Sequence, residues 1–139
     1  MELKELEKVA GAGVFDALEQ MGHEQVVMCH DEATGLRAII GIHNTTLGPA
    51  LGGTRLWAYA SEQEAMTDVL RLSRGMTFKA AISGLNLGGG KAVVMVDGTH
   101  QKSPGLLEAF GRLVDSLEGA YITAEDVGAT VADMEVVAT

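Results

Sequence analysis

The chain of 139 residues is poor in several features that mark particular classes of protein. It has a single cysteine, Cys29, so an internal disulfide is impossible, which suits a reducing compartment. Aromatic residues make up 4% of the sequence, too few for the stacking surface of a single-strand nucleic-acid binder. The net charge of −9 argues against nucleic acid or an anionic membrane as a partner.

Long hydrophobic runs are also missing. A membrane helix needs roughly 18 consecutive apolar residues, and no run in the sequence reaches that length. The segment after Met1 reads ELKELEK, without the basic and apolar regions of a secretory signal. We therefore expect a cytoplasmic protein, and the hydrophobic content of 47% is typical of one compact domain.

Hydrophobic periodicity predicts an α/β domain, with an open, mostly parallel or mixed sheet and helices on both faces. The predicted strands cover 26–31, 36–44, 55–60, 91–97 and 121–126. The predicted helices cover one or two segments of 2–21, then 62 to about 75 after a Ser61 cap, 104–118 after a Ser103 cap, and a last segment capped by Thr130. This last helical pattern still runs at Thr139, which suggests a chain cut near a domain boundary.

Three consecutive glycines (88–90) precede Lys91, a pattern that can wrap a phosphate or let a substrate approach a reactive amine. The phosphate interpretation fails on spacing, because Leu85 and Ala92 stand where a P-loop needs glycine and serine or threonine. The G-x-G at 11–13 lacks the third glycine of a dinucleotide fingerprint. We therefore expect no nucleotide phosphate at Lys91.

A second lysine, Lys79, lies twelve residues before Lys91 and just after the predicted end of its helix. If the intervening turn folds back, two ammonium groups share one cleft, and their repulsion favours the loss of one proton. One lysine is then a base near neutral pH and the other a cation, a pair suited to an amino acid. The residues alone leave open the alternative that both lysines only solvate the surface.

Three long segments resemble the Glu/Leu/Phe/Val dehydrogenases, and the leucine type among them: TTLGPALGGTR (45–55), RLSRGMTFKAAISGLNLGGGKAV (71–93) and YITAEDVGATV (121–131). The resemblance extends from about Met21 to the end of the chain. It implies NAD-dependent oxidative deamination of an L-amino acid to a 2-oxo acid and ammonia. It also implies self-association, since this domain carries the subunit contacts in the family.

The resemblance implies roles for individual residues. Lys79 would hold the substrate carboxylate, and Lys91 would be the general base that activates water. Asp126 would stabilise the charged amine intermediates and relay protons. Gly52 and Gly53 would let the substrate carboxylate approach the main chain. The glycines before Lys91 would clear space around this base.

One position in the resembling segments bears on the substrate specificity that the resemblance implies. Glutamate-specific relatives carry a lysine before the paired glycines, where this chain has Leu51. A buried glutamate side chain would lack a partner there, so we expect a branched-chain amino acid such as leucine as the substrate. Met76 and Ala124 would line the pocket. The choice among leucine, isoleucine and valine cannot be read, because one methylene changes the free energy by only about 1–3 kcal/mol.

The sequence departs from the family in one respect, since the Rossmann domain that follows in family members is absent. We therefore expect 1–139 to be the substrate-binding and oligomerisation domain, with no cofactor-binding residue and no activity alone. NAD would bind the missing domain. Two alternatives are a stand-alone oligomerisation module and an amino-acid-binding pseudo-enzyme, and the latter is disfavoured because Lys79, Lys91 and Asp126 are all present.

The remaining polar candidates carry weaker signals. The four histidines, His23, His30, His43 and His100, show no metal-ligand spacing with one another or with Cys29, so we expect core or surface hydrogen bonds and no metal site. Arg55, Arg71 and Arg74 could bind a carboxylate. Helix capping, pairs along a helix and subunit salt bridges are the favoured roles for these arginines.

Overall fold

The computed structural model describes residues 13–97 and 101–139. The order of its elements is α1 (Val14–Met21), β1 (Gln25–Asp31), β2 (Leu36–Asn44), β3 (Ala50–Trp57), α2 (Glu62–Ile82), β4 (Gly88–Met95), α3 (Pro104–Ser116), β5 (Tyr121–Ala124) and α4 (Val131–Val137). The strands form one sheet in the order β1-β2-β4-β3-β5. β1, β2 and β4 are antiparallel neighbours, whereas β4, β3 and β5 run parallel, so the mixed α/β fold is confirmed.

The two faces of the sheet contribute to two separate hydrophobic cores. Ile39 and Val93 pack with α1 and α2 on one face, while Ile40 and Val94 pack with α3 and α4 on the other. This alternation follows from the two-residue period of a strand. β4 is buried along its whole length, as expected for a central strand covered on both sides.

The predicted boundaries are wrong at three elements near the glycines. β3 begins at Ala50 and ends at Trp57, not at 55–60, and β4 begins at the glycines themselves instead of at Lys91. Glycine is depleted in strands, so the sequence pattern did not predict that either strand begins at or before its glycines. α2 continues past Gly75 to Ile82. The penalty for glycine in a helix is only about 1 kcal/mol, and packing against β4 outweighs it.

The helix caps follow the sequence closely. The Ser61 and Ser103 hydroxyls accept hydrogen bonds from the N–H groups of Glu64 and Leu106, and Thr130 forms a reciprocal capping box with Asp133. α4 ends at Val137, so the prediction that it still runs at Thr139 is wrong.

Some predictions fall outside the described residues. These are the part of the first helical segment before residue 13, and His100. Among the helices that the structure describes, none combines the length and the apolar character needed to cross a bilayer.

Candidate functional site

The three glycines at 88–90 form the first residues of β4, with no loop between them and Lys91. Side chains at these positions would overlap, in order, the Asn44 carbonyl, the Thr77 backbone and the Tyr121 ring. Protein atoms therefore fill the space that the glycines leave. The expectation that they clear room around a base is wrong, because their role is to let β4 lie close to its neighbours.

Lys91 follows the glycines and forms an ion pair with Asp126, although its side chain is only 9% exposed. Asp126 lies in the connection after β5, where its backbone bridges to Ala129. A Cβ atom at Gly53 would lie 2.8 Å from the Asp126 Cβ atom. Gly53 is therefore the glycine that makes room at this site, and it admits the Asp126 side chain beside Lys91.

The Asp126 carboxylate has a different partner at each oxygen. Oδ2 faces the Lys91 ammonium group. Oδ1 accepts a 2.7 Å hydrogen bond from the Val127 N–H and lies 3.6 Å from an Arg55 guanidinium nitrogen. Burial by itself raises the pKa of Asp126, but the hydrogen bonds from Lys91 and Val127 and the Lys91 and Arg55 charges outweigh it and lower the pKa overall. Asp126 is therefore a carboxylate at neutral pH.

Arg55 connects this pair to helix α2. Its second terminal nitrogen lies 3.4 Å from Asp68 Oδ2, and Asp68 also accepts hydrogen bonds from the Tyr59 hydroxyl at 2.5 Å and from Arg71 at 3.1 Å. Sequence reasoning favoured other roles for Arg55 and missed Asp68 and Tyr59. These residues are in contact only because β3 and α2 pack together, so no residue spacing in the sequence predicts the contact.

The paired glycines are fixed by β5. The buried Tyr121 hydroxyl donates a 2.7 Å hydrogen bond to the Gly52 carbonyl, and burial raises the pKa of Tyr121. In the parallel register, Gly53 stands beside Ala124 and Leu51 stands beside Ile122. The structure therefore brings the predicted residues Leu51, Gly52, Gly53 and Ala124 together on the adjacent strands β3 and β5, at one side of the sheet.

Lys79 and Met76 lie in the last turns of α2. Thr77, between them in the sequence, packs against Gly89 and links this end of the helix to β4. The Lys79 side chain is exposed, and no described residue pairs with its ammonium group. The partner that the structure gives Lys91 is the Asp126 carboxylate.

A buried histidine pair fixes α2 against the sheet. The His23 and His43 rings meet edge to face at 4.6 Å. His23 bonds to Ser73, and His43 bonds to Thr77 and, through Nε2–H, to the Met21 carbonyl. Burial and the neighbouring His43 lower the pKa of His23 to about 4, so His23 is neutral at pH 7. The prediction of core hydrogen bonds is confirmed for these two.

Two cavities open on the described surface. One, of about 750 Å³, lies between α3 and α4, and another, of about 720 Å³, lies where β3 ends, near Trp57 and Arg71. Lys91 and Asp126 line neither of them. The second cavity is lined by Arg55, Tyr59 and Asp68, so it lies next to a residue that contacts Asp126.

Comparison with known proteins decides the family. Residues 23–139 match the family described as Glu/Leu/Phe/Val dehydrogenase, dimerisation domain. The chain belongs to this family. Within it, a leucine dehydrogenase from Geobacillus stearothermophilus is 57% identical over 124 residues, which are 89% of this chain and 34% of that relative. A valine dehydrogenase from Streptomyces virginiae is 62% identical over 132 residues, 93% of this chain and 37% of the relative.

Solved structures place the same domain within larger dehydrogenases. The L-tryptophan dehydrogenase of Nostoc punctiforme has a TM-score of 0.85 and 50% identity, over 88% of this chain and 37% of that one. A hetero-hexameric glutamate dehydrogenase from Thermus thermophilus, at 24% identity and a TM-score of 0.65, shares the fold. This member of the Glu/Leu/Phe/Val dehydrogenase family thus spans about a third of the length of the relatives that it matches.

Proposed function

We propose that the chain is the substrate-binding, general-base half of an NAD-dependent L-amino-acid dehydrogenase of the leucine type. The observation that carries this proposal is the buried ion pair between Lys91 and Asp126, next to the glycines of β3. A buried lysine with a carboxylate partner is suited to proton transfer. Relatives named leucine and valine dehydrogenases support a branched-chain amino acid as the substrate.

The chemistry assigned to the pair is the hydrolysis of the iminium form of the substrate. Asp126 relays to the solvent the proton that Lys91 must lose before it can act as a base, and Asp126 is then ionised again. Lys91 then takes a proton from the water whose oxygen adds to the iminium carbon, and it returns this proton to the nitrogen. The C–N bond breaks to release ammonia, while Lys91 takes the remaining hydroxyl proton and the 2-oxo acid forms. The Asp126 charge stabilises the positive nitrogen. Lys79 and the main chain at Gly52 hold the substrate carboxylate.

The connection from β3 to α2 does not fit NAD, the hydride acceptor that this reaction needs. A dinucleotide pyrophosphate binds at a glycine-rich turn that opens a helix. After β3, the connection to α2 contains no glycine, and the first helical turn carries Glu62 and Glu64. These carboxylates would repel a pyrophosphate. We assign the NAD site to another part of the full-length protein.

The first test compares the 139-residue chain with the full-length protein that contains it. We expect the full-length protein to reduce NAD with L-leucine, L-valine and L-isoleucine, and to reject L-glutamate. The 139-residue chain, of 14.6 kDa, should give no NADH because it lacks the cofactor site. L-tryptophan is included because of the tryptophan dehydrogenase relative. Absence of turnover by the full-length protein with every branched-chain substrate would contradict the proposal.

A second candidate function is self-association, which the description of the family as a dimerisation domain supports. The observation in its favour is that β1 pairs only with β2 among the described strands, which leaves its other edge unpaired. Met28, at the centre of this strand, is 59% exposed. An unpaired strand edge with an exposed apolar side chain is a ready site for another strand.

We propose that a second copy of the chain pairs antiparallel with β1 across a two-fold axis at Met28. This register overlaps all 7 residues of the strand. It sets Val27 opposite Cys29 and Gln25 opposite Asp31, so no like charges face each other. Such an interface is isologous, as in most symmetric dimers.

Crosslinking tests this register. Met28→Cys in a Cys29→Ser background is expected to form a disulfide-linked dimer on mild oxidation, because the two-fold axis places position 28 opposite itself. The matched control is Ile122→Cys in the same background, since Ile122 lies on the strand at the opposite edge of the sheet and is also partly exposed, at 42%. Crosslinking through position 122 but not 28, measured by non-reducing electrophoresis, would contradict this interface.

A further inference from the structure

We propose that Arg55 is a positioning residue that holds the Asp126 carboxylate in line with Lys91, and that Asp68 on α2 anchors Arg55. This inference rests on the proposed function, because it gives Arg55 a part in the proton transfer assigned to Lys91 and Asp126. The residues lie on three elements, β3, α2 and the connection after β5.

The guanidinium group of Arg55 lies between two carboxylates. One terminal nitrogen is 3.4 Å from Asp68 Oδ2, and the other is 3.6 Å from Asp126 Oδ1. The three side chains are 15–23% exposed, so water screens these contacts only in part. Together with Lys91, the group contains two cations and two anions, which balances the charge of a largely buried cluster.

Asp126 needs such a partner because no strand or helix fixes its side chain. The residue follows the end of β5 at Ala124, in the connection to α4. The Val127 N–H and Arg55 both approach Oδ1, and this leaves Oδ2 toward Lys91. Removing Arg55 leaves Oδ1 with one hydrogen bond, from the adjacent Val127 N–H, and leaves Lys91 as the other group that contacts the carboxylate.

Asp68 is itself held on two sides, which makes it a firm anchor. The Tyr59 hydroxyl donates to Oδ2, and Arg71 donates to Oδ1 from the following turn of α2. Burial, followed by the hydrogen bond to Asp68, raises the pKa of Tyr59, so this hydroxyl keeps its proton. Both ends of Arg55 are thus engaged by protein carboxylates. The planar, fork-shaped guanidinium suits this bridging role, whereas the point charge of a lysine does not.

Kinetics of the full-length protein test the inference. Arg55→Gln is expected to lower kcat about 100-fold with little change in KM, because a misplaced proton-transfer group affects the chemical step more than binding. The acid limb of the pH–rate profile should move to higher pH, since Asp126 loses a neighbouring cation. Arg55→Lys should recover part of the rate, and Asp68→Asn should show a weaker form of the same defects.

The matched control is Arg37→Gln. Arg37 also joins the sheet to α2, through a 3.7 Å ion pair with Glu62, but it does not approach Asp126. Its kcat should stay within about twofold of wild type, because such a largely exposed pair contributes little to stability. An Arg55→Gln rate within twofold of wild type, or a loss without movement of the acid limb, would overturn the positioning role.

A second readout separates this inference from the proposed function. Carboxyl-¹³C-labelled aspartate, with Asp126 assigned from an Asp126→Asn sample, reports the titration of Asp126 without any turnover. Arg55→Gln should raise its midpoint by about 1 pH unit, whereas Arg37→Gln should leave it in place. A midpoint that does not move contradicts the positioning role. An inactive wild-type protein with the expected shift contradicts the proposed function alone.

Discussion

Lys91→Ala in the full-length protein is expected to lower the rate of oxidative deamination about 10³-fold or more while leaving the fold intact. The substitution removes the base assigned to water activation. The fold should survive, because the Val127 N–H and Arg55 still engage the Asp126 carboxylate after its lysine partner is removed. The measurement is the rate of NADH formation with L-leucine, recorded with the thermal unfolding midpoint of the same sample.

The matched control is Lys102→Ala. Lys102 also pairs with an aspartate, Asp133, at 2.8 Å and donates to the Gly128 carbonyl at 3.3 Å, but its side chain is 40% exposed and it contacts neither Lys91 nor Asp126. We expect nearly unchanged activity, because exposed ion pairs contribute little. Near-normal activity of Lys91→Ala would remove the general-base assignment. A loss matched by a collapse of the unfolding midpoint would show a structural role for Lys91 instead.

Leu51→Lys is expected to change the ratio of kcat/KM for glutamate to that for leucine by about 100-fold in favour of glutamate. Leu51 is half-buried beside Gly89 and Ile122, one residue before the paired glycines. A lysine there would give the second carboxylate of glutamate a partner, and it would place a charge against the apolar side chain of leucine.

The control for this specificity change is Leu51→Met, which keeps the volume and the apolar character of the side chain. Its ratio should stay close to that of the wild type. A ratio that is also unchanged in Leu51→Lys would show that position 51 is remote from the substrate side chain. Parallel assays with L-valine and L-isoleucine would show whether either substitution also alters the choice among branched-chain substrates.

Local chemistry in the sequence determined much of the secondary structure. Ser61, Ser103 and Thr130 cap helices as predicted, because a cap depends on a hydroxyl and the three residues that follow it. The strand at 36–44 was predicted with its observed bounds, since its apolar run and the turn at Gly35 are both local signals. The family could also be identified from the sequence, because the resembling segments are long and continuous.

The strand boundaries near the glycines were decided by tertiary structure. The glycines of β3 and β4 lower strand propensity locally, yet they are needed where β4 packs against the Thr77 backbone and where Asp126 approaches Gly53. Such close approaches join segments of the chain that are separated in sequence. Local propensity therefore predicted the breaks in the wrong places.

Lys91 and Asp126 were recognisable from the sequence as chemistry-bearing residues, but their pairing was not. The residues themselves suggested a cleft shared by Lys91 and Lys79 and did not indicate the carboxylate beside Lys91. The parallel alignment of β3, β4 and β5 places the connection after β5, with Asp126, next to Lys91. The link from Arg55 to Asp68 has the same origin, in the packing of α2 on the sheet. A sequence specifies which charges are present, and the fold decides which opposite charges become neighbours, because ion pairs depend on distance in space.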